Sequence, residues 1–344
     1  MDESGRLLNG AETPDGAMLL DGYRRLVLAR RLNDQAGALV RQGRLAVYPS
    51  SRGQEACQVA CATALGERDW LFPTYRDAAA ICARGVDPVE VLTLLRGDWH
   101  CGYDPVAHRV APQATPLATQ LLHAVGVAHA ATLRGEDTVA MALCGDGATS
   151  EGDFHEACNF AAVFAAPVVF FVQNNKYAIS VPLARQSVAP SLAAKAVGYG
   201  MPGIRVDGND LAALNLVLGE AVARARSGGG PSLIEADTYR IEAHTNADDA
   251  TRYRTDDEVT EWIARDPLTR LRTYLTDVGV LDDRQEQEFA AAAEEMAERV
   301  RAGVGAETPV NPDDLFAHVY SAPTPQLIEQ RAALRDELAL EEAS

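Results

Sequence analysis

Between residues 139 and 240, continuous apolar runs alternate with helical patterns, and this alternation constrains the fold more than any other feature of the chain. VAMALC (139–144), VVFFV (168–172), IRV (204–206) and SLIEADTYR (232–240) read as strands. Helical stretches over 151–165, near 191–199 and over 211–226 separate them, and a Gly-rich loop lies at 228–230. A strand without polar alternation is buried on both faces, which is how parallel strands covered by helices read. The expected fold is therefore α/β: a doubly wound, mostly parallel sheet with helices on both faces. Upstream, apolar positions at three- and four-residue intervals predict an amphipathic helix over 17–41. Further helices are expected over 54–65, 88–97 and 116–135, the last two opening on Pro and closing on Gly. Beyond residue 257 the pattern is helical, including 285–303 and a charged helix at 325–343. These shifts suggest an N-terminal helical extension (1–45), an α/β domain with C-terminal helices (46–320) and a terminal helix or tail (321–344).

Charge narrows the range of partners. Lys plus Arg number 31 against 49 Asp plus Glu, a formal net charge of −18, which disfavours nucleic acid and anionic membranes. Any bound polyanion then needs a locally positive or metal-containing site. No apolar run reaches membrane-spanning length, and MDESGRLLNG is acidic where a secretory signal is basic, so a cytoplasmic location is expected. The six cysteines form no CxxC pair, and Cys57 and Cys61, one helical turn apart, read as buried thiols rather than metal ligands.

Two polar clusters follow the apolar runs directly. Gly145-Asp146-Gly147 comes after the run ending at Cys144, and Asn174-Asn175 after the run ending at Val172. Their separation is that of one βαβ unit, and ligands in such sheets sit at the carboxyl ends of the strands. If the two strands are neighbours, a carboxylate and an amide carbonyl converge. Such hard oxygens suit Mg²⁺, which completes its octahedron with water and phosphate. Glycines beside Asp146 allow close backbone approach, and a helix opening near Ser150 turns N–H groups to the same edge. Ser150 and Asp153 have the spacing of a capping pair. A Mg²⁺-bound diphosphate is the ligand this spacing suggests.

GDGATSEGDFHEACNF and QNNKYAIS do not stand alone. Together with GQEA (53–56), FPTYRDA (72–78), PLATQ (116–120), IRVDGND (204–210) and TYRIEAHTNADDATRYR (238–254), they resemble the α subunit of the E1 component of 2-oxo-acid dehydrogenases, the pyruvate and branched-chain enzymes. The resemblance implies thiamine diphosphate and Mg²⁺ as cofactors. It implies Asp146, the Asn175 side chain and the Tyr177 carbonyl as metal ligands, with Gly147 and Ala148 as backbone donors to the diphosphate. Tyr75 and Arg76 match a diphosphate clamp, Thr115 and Leu117 the turn against the cofactor, and Ile179 a contact near its middle. His244 matches a catalytic loop histidine beside the diphosphate and the active-site channel. The implied reaction is oxidative decarboxylation of pyruvate, or alternatively of 3-methyl-2-oxobutanoate, with acyl transfer to a lipoyl-bearing E2. An E1 β subunit would complete the site in an α₂β₂ heterotetramer.

The chain departs from the family pattern at three places. Gln173 stands where branched-chain members carry an arginine, Ala114 where some relatives have a serine holding potassium, and Thr245 where regulated relatives carry a phosphorylated serine. Two other readings remain open: a transketolase-like or sulfopyruvate-type split enzyme, and a noncatalytic phosphate-binding α/β domain in which both clusters are only turns. The loop 243–256 is almost without apolar residues and is expected to order through contacts to the diphosphate.

Overall fold

The computed structural model describes residues 1–8, 15–98, 100–305 and 311–343. Its central sheet has five parallel strands: β1 (Trp70–Phe72), β2 (Ala140–Gly145), β3 (Val168–Asn174), β6 (Gly203–Asp207) and β7 (Ser232–Asp237). The strand order is β1-β2-β3-β7-β6, and a separate two-stranded hairpin is formed by β4 (Tyr177–Ala178) and β5 (Val181–Pro182). Parallel pairing of β2 with β3 runs from Ala140 opposite Val168 to Gly145 opposite Gln173. Asp146 and Asn174-Asn175 thus leave adjacent strands at the same edge.

β3 is buried along its whole length, and successive side chains enter opposite cores. Phe170 packs with Val168, Val172 and the Phe154 and Ala157 of the helix Gly152–Val163. Phe171 joins Val169 and Ile234 against Leu214 and Leu218 of the helix Leu211–Arg226. The apolar run is continuous because each face has its own helical layer.

Several elements depart from the pattern expectations. The stretch expected as a helix near 191–199 is a 3₁₀ helix, Ala193–Tyr199, confined between Pro190 and Pro202 and ended by Gly200 at φ 75°. The helix expected over 116–135 begins at Thr119, because Ala118 adopts φ 64° and breaks the helical path. Ser150 and Asp153 do not cap: Ser150 closes a 3₁₀ turn (Gly147–Ser150), Glu151 stands at the helix N-cap, and Asp153 accepts a hydrogen bond from Thr119 Oγ1 at 3.3 Å. The last strand ends at Asp237, where Thr238 Oγ1 turns to bond Gly53 O and Asn209 Oδ1, each at 2.8 Å.

The chain forms two compact units, residues 1–304 and 305–344. The helix Gly16–Arg41 lies within the first because its apolar stripe finds an intramolecular partner. Leu19, Tyr23, Leu26 and Leu32 enter the same buried cluster as Met296 and Val300 of the helix Asp283–Gly303. The second unit contains the helix Pro325–Glu342, from which Arg335 pairs with Asp313. Among the described residues no helix is long and apolar enough to cross a membrane. Cys57 and Cys61 are buried and unbridged, and burial pushes both thiols well above their ordinary range.

If β3 is packed on both faces, Phe170→Ala and Phe171→Ala should each destabilise the protein by about 3–5 kcal/mol in denaturant titration. A loss confined to one of the two would contradict a two-sided core.

Candidate functional site

A cavity of about 210 Å³ opens where β2 and β3 end. Asp146, directly after β2, is buried, and its Oδ2 accepts from Gln186 Nε2 at 2.6 Å. Burial raises its carboxyl above the ordinary aspartate value, and among the described residues it has no ion-pair partner. Asn175, one residue beyond β3, donates from Nδ2 to Gln54 Oε1 at 2.7 Å. That bond turns Asn175 Oδ1 to 3.1 Å from both Asp146 Oδ1 and the Tyr177 carbonyl oxygen. Neighbouring oxygens around a Mg²⁺ ion bound at about 2.0–2.1 Å stand about 2.9 Å apart, close to the 3.1 Å that separates Asn175 Oδ1 from each of the other two oxygens. Without a cation three oxygens so placed repel. Reversing the Asn175 amide together with that of Gln54 relieves the repulsion, the Asn175 nitrogen donating to the same two oxygens at 3.1 Å and its oxygen accepting from Gln54 at 2.7 Å, so the oxygen-facing orientation is the one a bound cation would select. Among the described residues no group of three or more His, Cys, Asp or Glu side chains could hold a metal; the set at the strand ends consists of one carboxylate, one amide and one backbone carbonyl.

Positive charge faces this cluster. The Gly147–Ser150 turn presents the backbone of Gly147 and Ala148 to the cavity, and the leading N–H groups of such a turn lack intrahelical acceptors. A Cβ on Gly147 would stand 2.7 Å from Ala178 Cβ, so only glycine lets the turn close on the β4–β5 hairpin. Arg76 is buried and donates to Ser50 O at 2.8 Å and to His244 O at 3.0 Å. Arg240, 1% exposed, donates to Tyr177 O at 3.2 Å, Ile179 O at 2.8 Å and Tyr253 Oη at 2.8 Å. Neither guanidinium has a carboxylate in contact among the described residues. Burial, and then the charge of Arg76, pushes the pKa of Arg240 below its ordinary value. Two buried cations and one buried carboxylate, none of them paired, suit a polyanion bridged by a divalent ion.

His244 Nδ1 lies 3.1 Å from Arg76 Nη2, so it accepts there and the ring proton resides on Nε2. Burial, then Arg76 and Arg240, push its pKa down to about 4, and the imidazole is neutral at physiological pH. Tyr75 meets the imidazole edge-on at 6.1 Å, and the Arg76 guanidinium lies 5.5 Å from the Tyr75 ring centre. The loop beyond His244 is held within the protein: Asp248 Oδ2 accepts from His244 N at 2.8 Å and from Tyr253 Oη, while Arg254 donates to the carbonyls of Arg240 and Ile241.

The structure gathers Tyr75, Arg76, Leu117, Asp146, Gly147, Ala148, Asn175, Tyr177, Ile179 and His244 around the one cavity. Thr115 is exposed and does not line it, although its neighbours Ala114 and Pro116 do. Leu117 and Ile179 stand at the rim, 44% and 55% exposed. Gln173 donates to Asp77 Oδ1 at 2.7 Å and leaves its buried Oε1 without a partner. Sequence reasoning missed Arg240, although it lies inside the 238–254 motif just after the last strand. Gln54 and Gln186, which contact the Asn175 and Asp146 side chains, carried no signal beyond lying in or near quoted segments.

A sequence profile of the dehydrogenase E1 component family matches residues 23–312. The chain belongs to this family. It is 51% identical over 317 residues, covering 92% of this chain and 86% of the relative, to the 3-methyl-2-oxobutanoate dehydrogenase subunit alpha of Mycobacterium tuberculosis. To the pyruvate dehydrogenase E1 component subunit alpha of Staphylococcus aureus it is 41% identical over 296 residues, 85% of this chain and 80% of the relative. The E1 family is thiamine-diphosphate dependent, and this chain is an E1 alpha subunit of a 2-oxo-acid dehydrogenase.

The low pKa of His244 has a consequence for stability. Between pH 6.5 and about 4 the unfolded chain binds a proton at this histidine that the folded one refuses, so stability falls as pH drops through that window. His244→Gln should flatten the pH dependence of Tm between those limits and leave it unaltered above pH 7. An unchanged slope would place the histidine in solvent.

Proposed function

We propose that this E1 alpha subunit binds the diphosphate half of Mg²⁺–thiamine diphosphate in the cavity at the ends of β2 and β3, and serves the oxidative decarboxylation of a branched-chain 2-oxo acid such as 3-methyl-2-oxobutanoate. The observation that carries the cofactor site is the oxygen cluster with 3.1 Å spacings, faced by two buried guanidiniums without carboxylate partners. The higher identity, 51% against 41%, favours the branched-chain substrate over pyruvate, which the resemblance had put first; pyruvate stays the second reading because that relative too matches most of the chain.

When bound, the cofactor would supply a thiazolium ring as the nucleophile toward the keto carbon and as the electron sink for decarboxylation. The chain's own residues hold and tune that group. Asp146 Oδ1, Asn175 Oδ1 and the Tyr177 carbonyl would hold Mg²⁺. The N–H groups of Gly147 and Ala148, together with Arg76 beside Tyr75, would meet the diphosphate oxygens. Arg240 adds positive charge from beneath the hairpin. His244, neutral with its proton on Nε2, can donate a hydrogen bond to an anionic oxygen without adding a further charge beside two arginines. Leu117 and Ile179 form an apolar rim that excludes water once covered.

The partners are an E1 β subunit in an α₂β₂ assembly and a lipoyl-bearing E2, and the site of action is the cytoplasm. Both compared relatives are named as alpha subunits, which supports a separate partner chain. The exposed apolar rim at Leu117 and Ile179 supports a surface that covers the cavity.

Asp146→Ala should abolish Mg²⁺-dependent binding of thiamine diphosphate, followed by calorimetry, while the far-ultraviolet circular dichroism stays that of the unaltered protein. Retained affinity in the folded variant would remove Asp146 from the metal site. With an artificial electron acceptor, the chain alone should show no 2-oxo-acid decarboxylation, and the assembly with its β partner should prefer 3-methyl-2-oxobutanoate to pyruvate. Turnover by the isolated chain would refute the split site, and a preference for pyruvate would reverse the substrate order.

A further inference from the structure

We propose that Gln186 is a positioning residue that makes Asp146 a one-oxygen ligand and thereby favours Mg²⁺ over Ca²⁺; the inference rests on the metal reading given above. Gln186 follows the short 3₁₀ turn Leu183–Arg185, where its backbone N–H bonds Leu183 O at 2.9 Å. Its Nε2 donates both hydrogens: one to Asp146 Oδ2 at 2.6 Å, the other to Val181 O at 2.9 Å. The amide orientation is fixed by chemistry, because the reverse one would set Oε1 against two acceptors. The retained orientation instead leaves Oε1 buried with no partner. That is a destabilising arrangement kept for the sake of two donated bonds.

The backbone around Asp146 is secured by other groups. Thr149 Oγ1 donates to Asp146 O at 2.8 Å, and Lys195 Nζ donates to Thr149 O and Oγ1 at 2.9 Å each. What remains for Gln186 is the carboxylate itself. With Oδ2 occupied by a short charge-assisted bond, only Oδ1 faces Asn175 Oδ1 and the Tyr177 carbonyl. A single oxygen at close range suits the small octahedral Mg²⁺, whereas the larger Ca²⁺ gains from a carboxylate that offers both oxygens. The same amide grips Val181 in β5, so it also sets the hairpin that carries the Tyr177 carbonyl in β4.

The test uses the chain assembled with its β partner, saturated with thiamine diphosphate and titrated with MgCl₂ or CaCl₂ while Tm is followed. Gln186→Met keeps the side-chain length and removes the donor; Gln186→Asn keeps the amide but withdraws it from reach. For Gln186→Met, the Mg²⁺ concentration giving half-maximal stabilisation should rise about 10–100-fold and that for Ca²⁺ by less than about threefold, narrowing the preference for Mg²⁺. Gln186→Asn should likewise raise the Mg²⁺ requirement more than the Ca²⁺ requirement, by a smaller factor than Gln186→Met. An unchanged Mg²⁺ requirement, or equal losses for both ions, overturns the positioning role. A complete lack of response to Mg²⁺ in the unaltered protein overturns the metal assignment itself, and this inference with it.

Discussion

The cavity depends on the parallel register of β2 against β3. Because Gly145 pairs with Gln173, the two chains turn off the sheet side by side, and the first residue past β2 meets the first residue past β3 across the same gap. A slip of one residue would reverse the facing of every side chain on β3, exchanging Phe170 with Phe171 between cores that are both filled. The apolar burial that fixes the register therefore also fixes the spacing between Asp146 and Asn175. Packing on both faces of one strand sets a polar geometry at its end.

Within that geometry the charges are deliberately unbalanced. Asp146, Arg76 and Arg240 are all buried, and the contacts of the two arginines are with carbonyls, a hydroxyl and an imidazole rather than with carboxylates. A direct pair between Asp146 and either arginine would stabilise the empty site and would have to be broken to admit an anion. Instead Gln186 holds the carboxylate and backbone oxygens hold the guanidiniums, so the cation and anion positions stay separate. The depressed pKa of His244 follows from the same excess of positive charge. A polyanion entering the cavity would relieve it.

How much of this was legible in the sequence depends on how local each signal is. The Gly-Asp-Gly and Asn-Asn clusters could be read because two uninterrupted apolar runs announce buried parallel strands and whatever follows them must face the carboxyl edge. β1 was not legible, since three residues carry no period, and it belongs to the sheet only through its pairing with β2. The Ser150–Asp153 pair had the right spacing for a cap, but the chain spends residues 147–150 on a 3₁₀ turn and starts the helix at Gly152. Arg240 and Gln186 act across 63 and 40 residues of chain, on Tyr177 and Asp146 respectively, and no periodicity encodes such contacts. Thr115 was assigned by resemblance alone, and in the fold its side chain is exposed while its neighbours Ala114 and Pro116 line the cavity.

The backbone around the cavity adds a last constraint. Ala118, Lys176 and Ile179 all adopt left-handed conformations, φ 64°, 76° and 55°, and for a β-branched residue such as Ile179 this region is strained. Strain of that kind persists only where neighbouring contacts overdetermine it. Lys176 is pinned by its ion pair with Asp237 at the end of β7, and the carbonyl of Ile179 by Arg240. Arg240 also holds the carbonyl of Tyr177, the backbone oxygen of the strand-end cluster, so one guanidinium both stabilises the strained hairpin and sets the position of that oxygen. This double duty explains why a charge is buried here without a counter-charge: a carboxylate partner would satisfy the arginine but would draw it away from the two carbonyls that need it.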